Sequence, residues 1–195
     1  MGAWAYIGAI WGLRRLGRRS RRLLEAALQL DSGLVQVWLE LGTLEEERQN
    51  WTGARLAYKR ALDLLPTYSE AARALARLLR RVDTPKAAMA PLIALLGADP
   101  WDLEALTLLG ELLLEDGRPE QAIEAFERVL RFDPEAGPAR LAYGAALVRA
   151  RRYREATDQW EAVVRADPGS PLAATARNQL RSIRDLVHIF TATAE

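Results

Sequence analysis

Residues 35–68 read VQVWLELGTLEEERQNWTGARLAYKRALDLLPTY, and this stretch decides the fold. Its proline, Pro66, is followed at successive 34-residue steps by Pro100, Pro134 and Pro168. A fixed long period marks an array of stacked repeats in place of a single globular core. Within the stretch, Gly42, Ala54 and Ala61 are small residues placed where two antiparallel helices come close. Trp38, Leu41 and Tyr58 supply the apolar knobs that fill the space between them.

Moving the 34-residue frame along the chain keeps the register. Residues 69–102 carry Leu75-Ala76, Leu79, Ala88, Leu92 and Pro100. Residues 103–136 carry Leu106, Leu109-Gly110, Leu113, Gly117, Ala122, Phe126 and Pro134. Residues 137–170 carry Tyr143-Gly144, Leu147, Tyr153, Ala156, Trp160 and Pro168. Stepped backward, the frame places Trp4, Ile7-Gly8, Trp11, Ser20, Leu24, Ala27 and Leu30 in a first window, 1–34, with Ser32 where the proline would stand.

The order W-x2-L-G, then A-x3-Y-x2-A, then P in residues 38–66 resembles the tetratricopeptide repeat (TPR). The resemblance covers about residues 1–170. It implies an all-α, right-handed solenoid of five helix-turn-helix repeats: 1–34, 35–68, 69–102, 103–136 and 137–170. Arg140, Glu45 and Leu95 depart from the pattern and are expected to loosen packing locally. Pro91 lies well inside a second helix that Thr84-Pro85 already starts. It removes a hydrogen bond at a cost of roughly 3 kcal/mol, so a kink or a late start is expected. After Ser170-Pro171, the apolar positions Leu172, Ala176, Leu180, Ile183 and Val187 predict an amphipathic capping helix over 171–188, whose polar outer face finishes the array. Residues 189–195 are expected to fray.

Composition removes several function classes. The chain has no cysteine and one histidine, His188, so thiolate and histidine metal sites are excluded. No phosphate-binding glycine loop or catalytic triad is present, and no enzymatic activity and no cofactor are expected. The net charge of +1 supplies no field that favours nucleic acid.

The resemblance also implies that the first helix of each repeat lines the concave side, where peptides lie across the array. The outward positions there are Glu40, Thr43 and Glu47, then Arg73, Arg77 and Arg80, then Glu104, Thr107 and Glu111: a basic stripe between two acidic ones. One reading is a dock for an acidic or C-terminal carboxylate segment, because a guanidinium fork matches a carboxylate bidentately. The other is a solvated face on which the arginines pair with neighbouring glutamates. The Lys/Asn constellation that clamps chaperone C-termini in some family members is absent, since Ala5, Ala9, Leu39 and Thr43 stand in its places.

The second candidate region is the start of the chain. From Gly2 to Leu13 there is no charged side chain, and Trp4, Tyr6 and Trp11 stand among Ala, Ile and Gly. Arg14, Arg15, Arg18, Arg19, Arg21 and Arg22 follow at once. This order reverses that of a secretory signal, and the run is too short to span a bilayer. Myristoylation is excluded by Tyr6, where the motif requires Ser or Thr. The reading is a docking surface for a protein partner, such as a subunit of a larger or membrane-associated complex. A peripheral contact with an anionic membrane surface and a self-assembling homo-oligomer are the alternatives. The expectation is a cytoplasmic, non-catalytic interaction scaffold.

Overall fold

The computed structural model describes residues 21–192, with side chains to residue 183. Among the described residues there are ten helices and no strand: α1 (Arg21–Leu30), α2 (Val35–Glu47), α3 (Trp51–Leu64), α4 (Ser69–Val82), α5 (Pro85–Ala98), α6 (Leu103–Glu115), α7 (Pro119–Phe132), α8 (Gly137–Arg149), α9 (Tyr153–Ala166) and α10 (Pro171–Ala192). By compactness the chain divides after Ala105, inside α6. In the N-terminal unit α2 packs on α3 and α4 on α5, with α3 against α4, α1 against α2, and α2 touching α4. In the C-terminal unit α8 packs on α9, α7 on α8, and α10 on both α9 and α8.

The stops and starts follow from local chemistry. Asp31, Asp99, Asp133 and Asp167 each accept the backbone N–H two residues on, at 2.8–3.1 Å, closing the turn that ends a second helix. Pro100, Pro134 and Pro168 follow the last three aspartates directly and cannot continue a helix. Asp31 makes the same turn beside Ser32, so the missing proline of the first window is replaced by the aspartate alone. Asn50, Thr84, Asp102 and Ser170 accept N–H groups of the first turns of α3, α5, α6 and α10 at 2.8–3.2 Å.

Each helix pair closes on a size match. The rings of Tyr58, Phe126 and Trp160 are fully buried, and each lies against a glycine of the preceding helix: Gly42, Gly110 and Gly144 respectively. A Cβ at any of the three would fall inside 3.0 Å of the ring. In α4–α5 the ring position is Leu92 and the glycine position is Ala76, both buried, so a smaller knob meets a larger floor.

The departures from the repeat pattern are accommodated individually. Leu95 is buried, as are Ala61, Val129 and Val163 at the equivalent positions. Arg140 donates to Gln159 Oε1 at 2.8 Å and to the Pro134 carbonyl at 2.5 Å. Glu45 is buried, accepts from Asn50 Nδ2 at 2.5 Å, and lies 3.4 Å from the Arg21 guanidinium. Of the kink or late start expected at Pro91, the late start does not occur, for helix α5 begins at Pro85 and continues to Ala98. Met89, Leu92 and Leu95 are buried on both sides of the proline, and that packing holds the helix across one lost hydrogen bond. Helix α10 runs to Ala192, past the boundary drawn at 188, since neither Gly nor Pro occurs between Ile189 and Ala192. Ala173, Ala176, Leu180 and Ile183 form its buried stripe, and Arg177, Asn178 and Arg181 are exposed.

Candidate functional site

The outward face of α2 and α4 carries the candidate groove residues of the N-terminal unit. Helical spacing puts Arg73, Arg77 and Arg80 on one side of α4, because residues three and four apart are neighbours there. Their environments differ. Arg73 has a side chain only 14% exposed, hydrogen-bonds Glu104 at the start of α6, and lies 3.9 Å from Asp102. Asp102 in turn accepts from the Ser69 hydroxyl and from the Ala105 N–H, so one carboxylate caps α6 and fixes Arg73. Arg77 is exposed and has no ion-pair partner among the described residues. Arg80 is also exposed.

On α2, Glu40 and Thr43 are half-buried and Glu47 is exposed; the Thr43 hydroxyl donates to the Leu39 carbonyl at 3.0 Å. Thr107 and Glu111 lie on the part of α6 in the C-terminal unit, both half-buried. Of the candidate groove residues in this unit, Arg73 and Glu104 are joined by a hydrogen bond, and α2, which carries Glu40, Thr43 and Glu47, touches α4, which carries the three arginines.

A second cluster on this unit was not legible as one in the sequence. Glu46 accepts from the Tyr58 hydroxyl at 3.0 Å and stands 3.4 Å from the Arg81 guanidinium. Arg81 lies 4.7 Å over the Trp51 ring, a cation–π contact. These four residues tie α2, α3 and α4 together. The partial signal was Trp51 itself, a large aromatic at the start of α3, with Arg81 near the end of the following helix α4. In the C-terminal unit Tyr143 donates to Glu127 Oε1 at 2.9 Å, and burial together with that carboxylate pushes the phenol up to about 12. The Arg152–Glu155 pair, 2.6 Å apart at the start of α9, holds the Glu155 carboxyl below its ordinary value and the guanidinium above its own.

Among the described residues no group of acidic or histidine side chains could hold a metal ion, and no helix is long and apolar enough to cross a membrane. Trp4, Tyr6, Trp11, Arg14, Arg15, Arg18 and Arg19 lie outside the described residues.

Two family models, both described as tetratricopeptide repeat, match residues 13–69 and 113–180, together more than half of the chain. The chain belongs to the tetratricopeptide repeat family. No curated protein matches it. Among solved structures it is similar to MamA residues 41-end from Desulfovibrio magneticus RS-1, at 22% identity and a TM-score of 0.75, over 87% of this chain and 97% of that one. It is similar to YrrB, described as a TPR protein with an unusual peptide-binding site, at 21% identity and a TM-score of 0.72, over 89% and 90%. A tetratricopeptide repeat protein from Parabacteroides merdae aligns at 18% identity and a TM-score of 0.79, over 97% and 79%. At these identities the likeness is one of fold, an all-α solenoid of tetratricopeptide repeats. The general role of such repeats is to scaffold protein–protein contacts, and that is the class of function the family gives this chain.

Proposed function

We propose that the chain is a non-catalytic scaffold that holds an extended, carboxylate-bearing segment of a partner protein on the outward face of α2 and α4. The observation that carries this reading is the contrast between Arg73 and Arg77. Arg73 is already engaged by Asp102 and Glu104, whereas Arg77 presents its guanidinium to solvent. A guanidinium held on a helix, with no ion-pair partner among the described residues, offers a carboxylate two parallel hydrogen bonds at little ordering cost. Glu40 and Glu47 on α2 and Glu104 on α6 add carboxylates to the proposed face, which would select against a segment of the wrong charge pattern. YrrB, a structural relative with a peptide-binding site, supports the class of ligand.

The apolar, tryptophan-bearing start of the chain, with Trp4, Tyr6 and Trp11 followed by Arg14, Arg15, Arg18 and Arg19, is a second docking element for a partner subunit in the cytoplasm. An anionic membrane surface is its alternative occupant, favoured by the succession of aromatics and arginines. Affinity capture with the full chain, its Arg77→Glu variant and its Trp4→Ala/Trp11→Ala variant, read by quantitative mass spectrometry, tests both elements. Each substitution is expected to lose a distinct set of captured proteins at least tenfold. Identical recovery from all three chains overturns the reading. Co-sedimentation of the full chain with phosphatidylserine vesicles at low salt decides the alternative, which fails if no protein pellets.

A further inference from the structure

The second helix of each repeat has an outer side, and in three of the four second helices fully paired here that side is charged. Leu56, Lys59 and Asp63 occupy it in α3, Glu124, Glu127 and Arg131 in α7, and Asp158, Glu161 and Arg165 in α9. The equivalent residues of α5 are Ala90, Ile93 and Gly97, and no charged side chain occurs from Ala87 to Ala98. All three are exposed, Ile93 by 57%, and a Cβ on Gly97 would meet nothing within 4 Å. An uncharged outer face in a chain that is 27% charged is unlike its own repeats.

Next to this face, α3, α4 and α5 enclose an open groove of about 450 Å³, within the size range of ligand sites. Leu62, Leu75 and Leu79 line it with aliphatic surface. Ala87 and Ala90 keep it open, because a side chain as large as Leu56, the equivalent of Ala90 in α3, would occupy it. Pro91 also lines the groove and has no N–H to donate to the Ala87 carbonyl, its helical partner. The rim is basic on balance. Arg55 and Lys59 stand on α3, and the one carboxylate, Asp83, sits 3.8 Å from Arg55 in a half-exposed pair. Lys59 has no ion-pair partner among the described residues.

We propose that this groove is a second docking site, for a short amphipathic segment of a partner protein whose apolar side chains enter between α3 and α5 and whose carboxylates face Arg55 and Lys59. The apolar lining supplies affinity and the cationic rim selects the acidic partner. Arg77 does not line this groove, so the site is separate from the one proposed on the first helices.

A display selection of random 16-residue peptides against the full chain, followed by fluorescence anisotropy of the enriched peptides, tests this. The expected result is a class of peptides with apolar residues at helical spacing and adjacent Asp or Glu. Ala90→Glu should weaken their binding at least tenfold and Lys59→Glu about three- to tenfold, while Arg77→Glu leaves it unchanged. Circular dichroism matching the parent chain shows that each variant is folded, and Ala90→Ser, which keeps the volume small, should retain affinity. Enriched peptides that ignore both Ala90→Glu and Lys59→Glu, or that are basic, overturn the proposal. So does concentration-dependent self-association abolished by Ala90→Glu, which would make the occupant a second copy of this chain. Peptides sensitive only to Arg77→Glu would uphold the first-helix site and reject this one.

Discussion

Repeats 69–102 and 137–170 share one frame and solve it in two ways. In 137–170 the buried knob is Trp160, whose indole N–H donates to the Leu141 carbonyl at 3.0 Å, and the facing residue is Gly144. In 69–102 the knob is Leu92 and the facing residue Ala76, and both are buried. The turns differ as well. Arg151 joins α8 to α9 with φ of 60°, while Asp83 joins α4 to α5 from an extended conformation. The comparison teaches that the repeat keeps a large buried side chain against a small one between its helices, and leaves the residue types and the turn that joins the helices open. It also shows where departures gather: the repeat with the smaller knob carries the arginine face on α4, the uncharged face on α5, and Pro91.

The largest way to break the comparison is to remove the knobs. Trp160→Ala should cost about 3–5 kcal/mol and Leu92→Ala about 2–5 kcal/mol in urea unfolding, with the tryptophan the greater loss because it leaves the larger cavity. A ranking reversed between the two would mean that the α8–α9 space collapses and the α4–α5 space does not. Next comes the glycine. Gly144→Ala gains about 1 kcal/mol of helix propensity but overpacks the indole by about 1–3 kcal/mol, so a modest net destabilisation is expected. Combining it with Trp160→Leu recreates the Ala76–Leu92 pairing, and a double-mutant cycle should return a favourable coupling of about 1 kcal/mol. Zero coupling would show that the two positions do not compensate for one another.

The turns offer a smaller test. Gln49 and Arg151 both hold φ of 60°, a left-handed conformation that glycine adopts freely and other residues adopt at a cost of about 1 kcal/mol; Gly117, at φ of 77°, occupies the same place in the repeat. Gln49→Gly and Arg151→Gly should therefore raise stability by up to about 1 kcal/mol, and Gly117→Ala should lower it by a similar amount. The smallest effect is a pH dependence confined to one repeat. Tyr143 is raised from 10.0 to about 12 in the folded chain, so the folded state holds its proton where the unfolded state has released it. Its contribution is fully present below pH 10 and is lost as the pH rises from 10 to 12. Leu75 holds the equivalent position of 69–102 and contributes nothing there. Tyr143→Phe should flatten the pH 10–12 slope of the melting temperature, and an unchanged slope would assign it to other groups.

The knobs, the small residues that face them and the turn prolines are short-range features that recur at the 34-residue period, and they could be recognised in the chain before any contact was known. The same is true of the stripe formed by Arg73, Arg77 and Arg80, which helical spacing alone places on one face. Which arginine is engaged was not legible. Asp102 reaches Arg73 from the start of the next helix, and its bonds depend on where α4 and α6 converge. The Glu46–Arg81–Trp51 cluster was hidden for the same reason, since Glu46 sits in an acidic run that reads as a solvated helix end. The polar substitutions Glu45 and Arg140 read as packing faults, yet their partners Asn50, Arg21 and Gln159 come from neighbouring elements.

Sequence alone determined the period, the helix pairs within it, the small-against-large packing between them, and the absence of cysteine and histidine clusters. Those properties follow from local propensity and from a spacing that repeats, so each is written within one window. Tertiary structure decided that Arg73 is engaged and Arg77 exposed, that α5 persists across Pro91, and that Ala87, Ala90 and Pro91 border a groove with Arg55 and Lys59. Each of these depends on residues from different helices arriving at one place, and the distance between them is set by packing, which no single helix encodes.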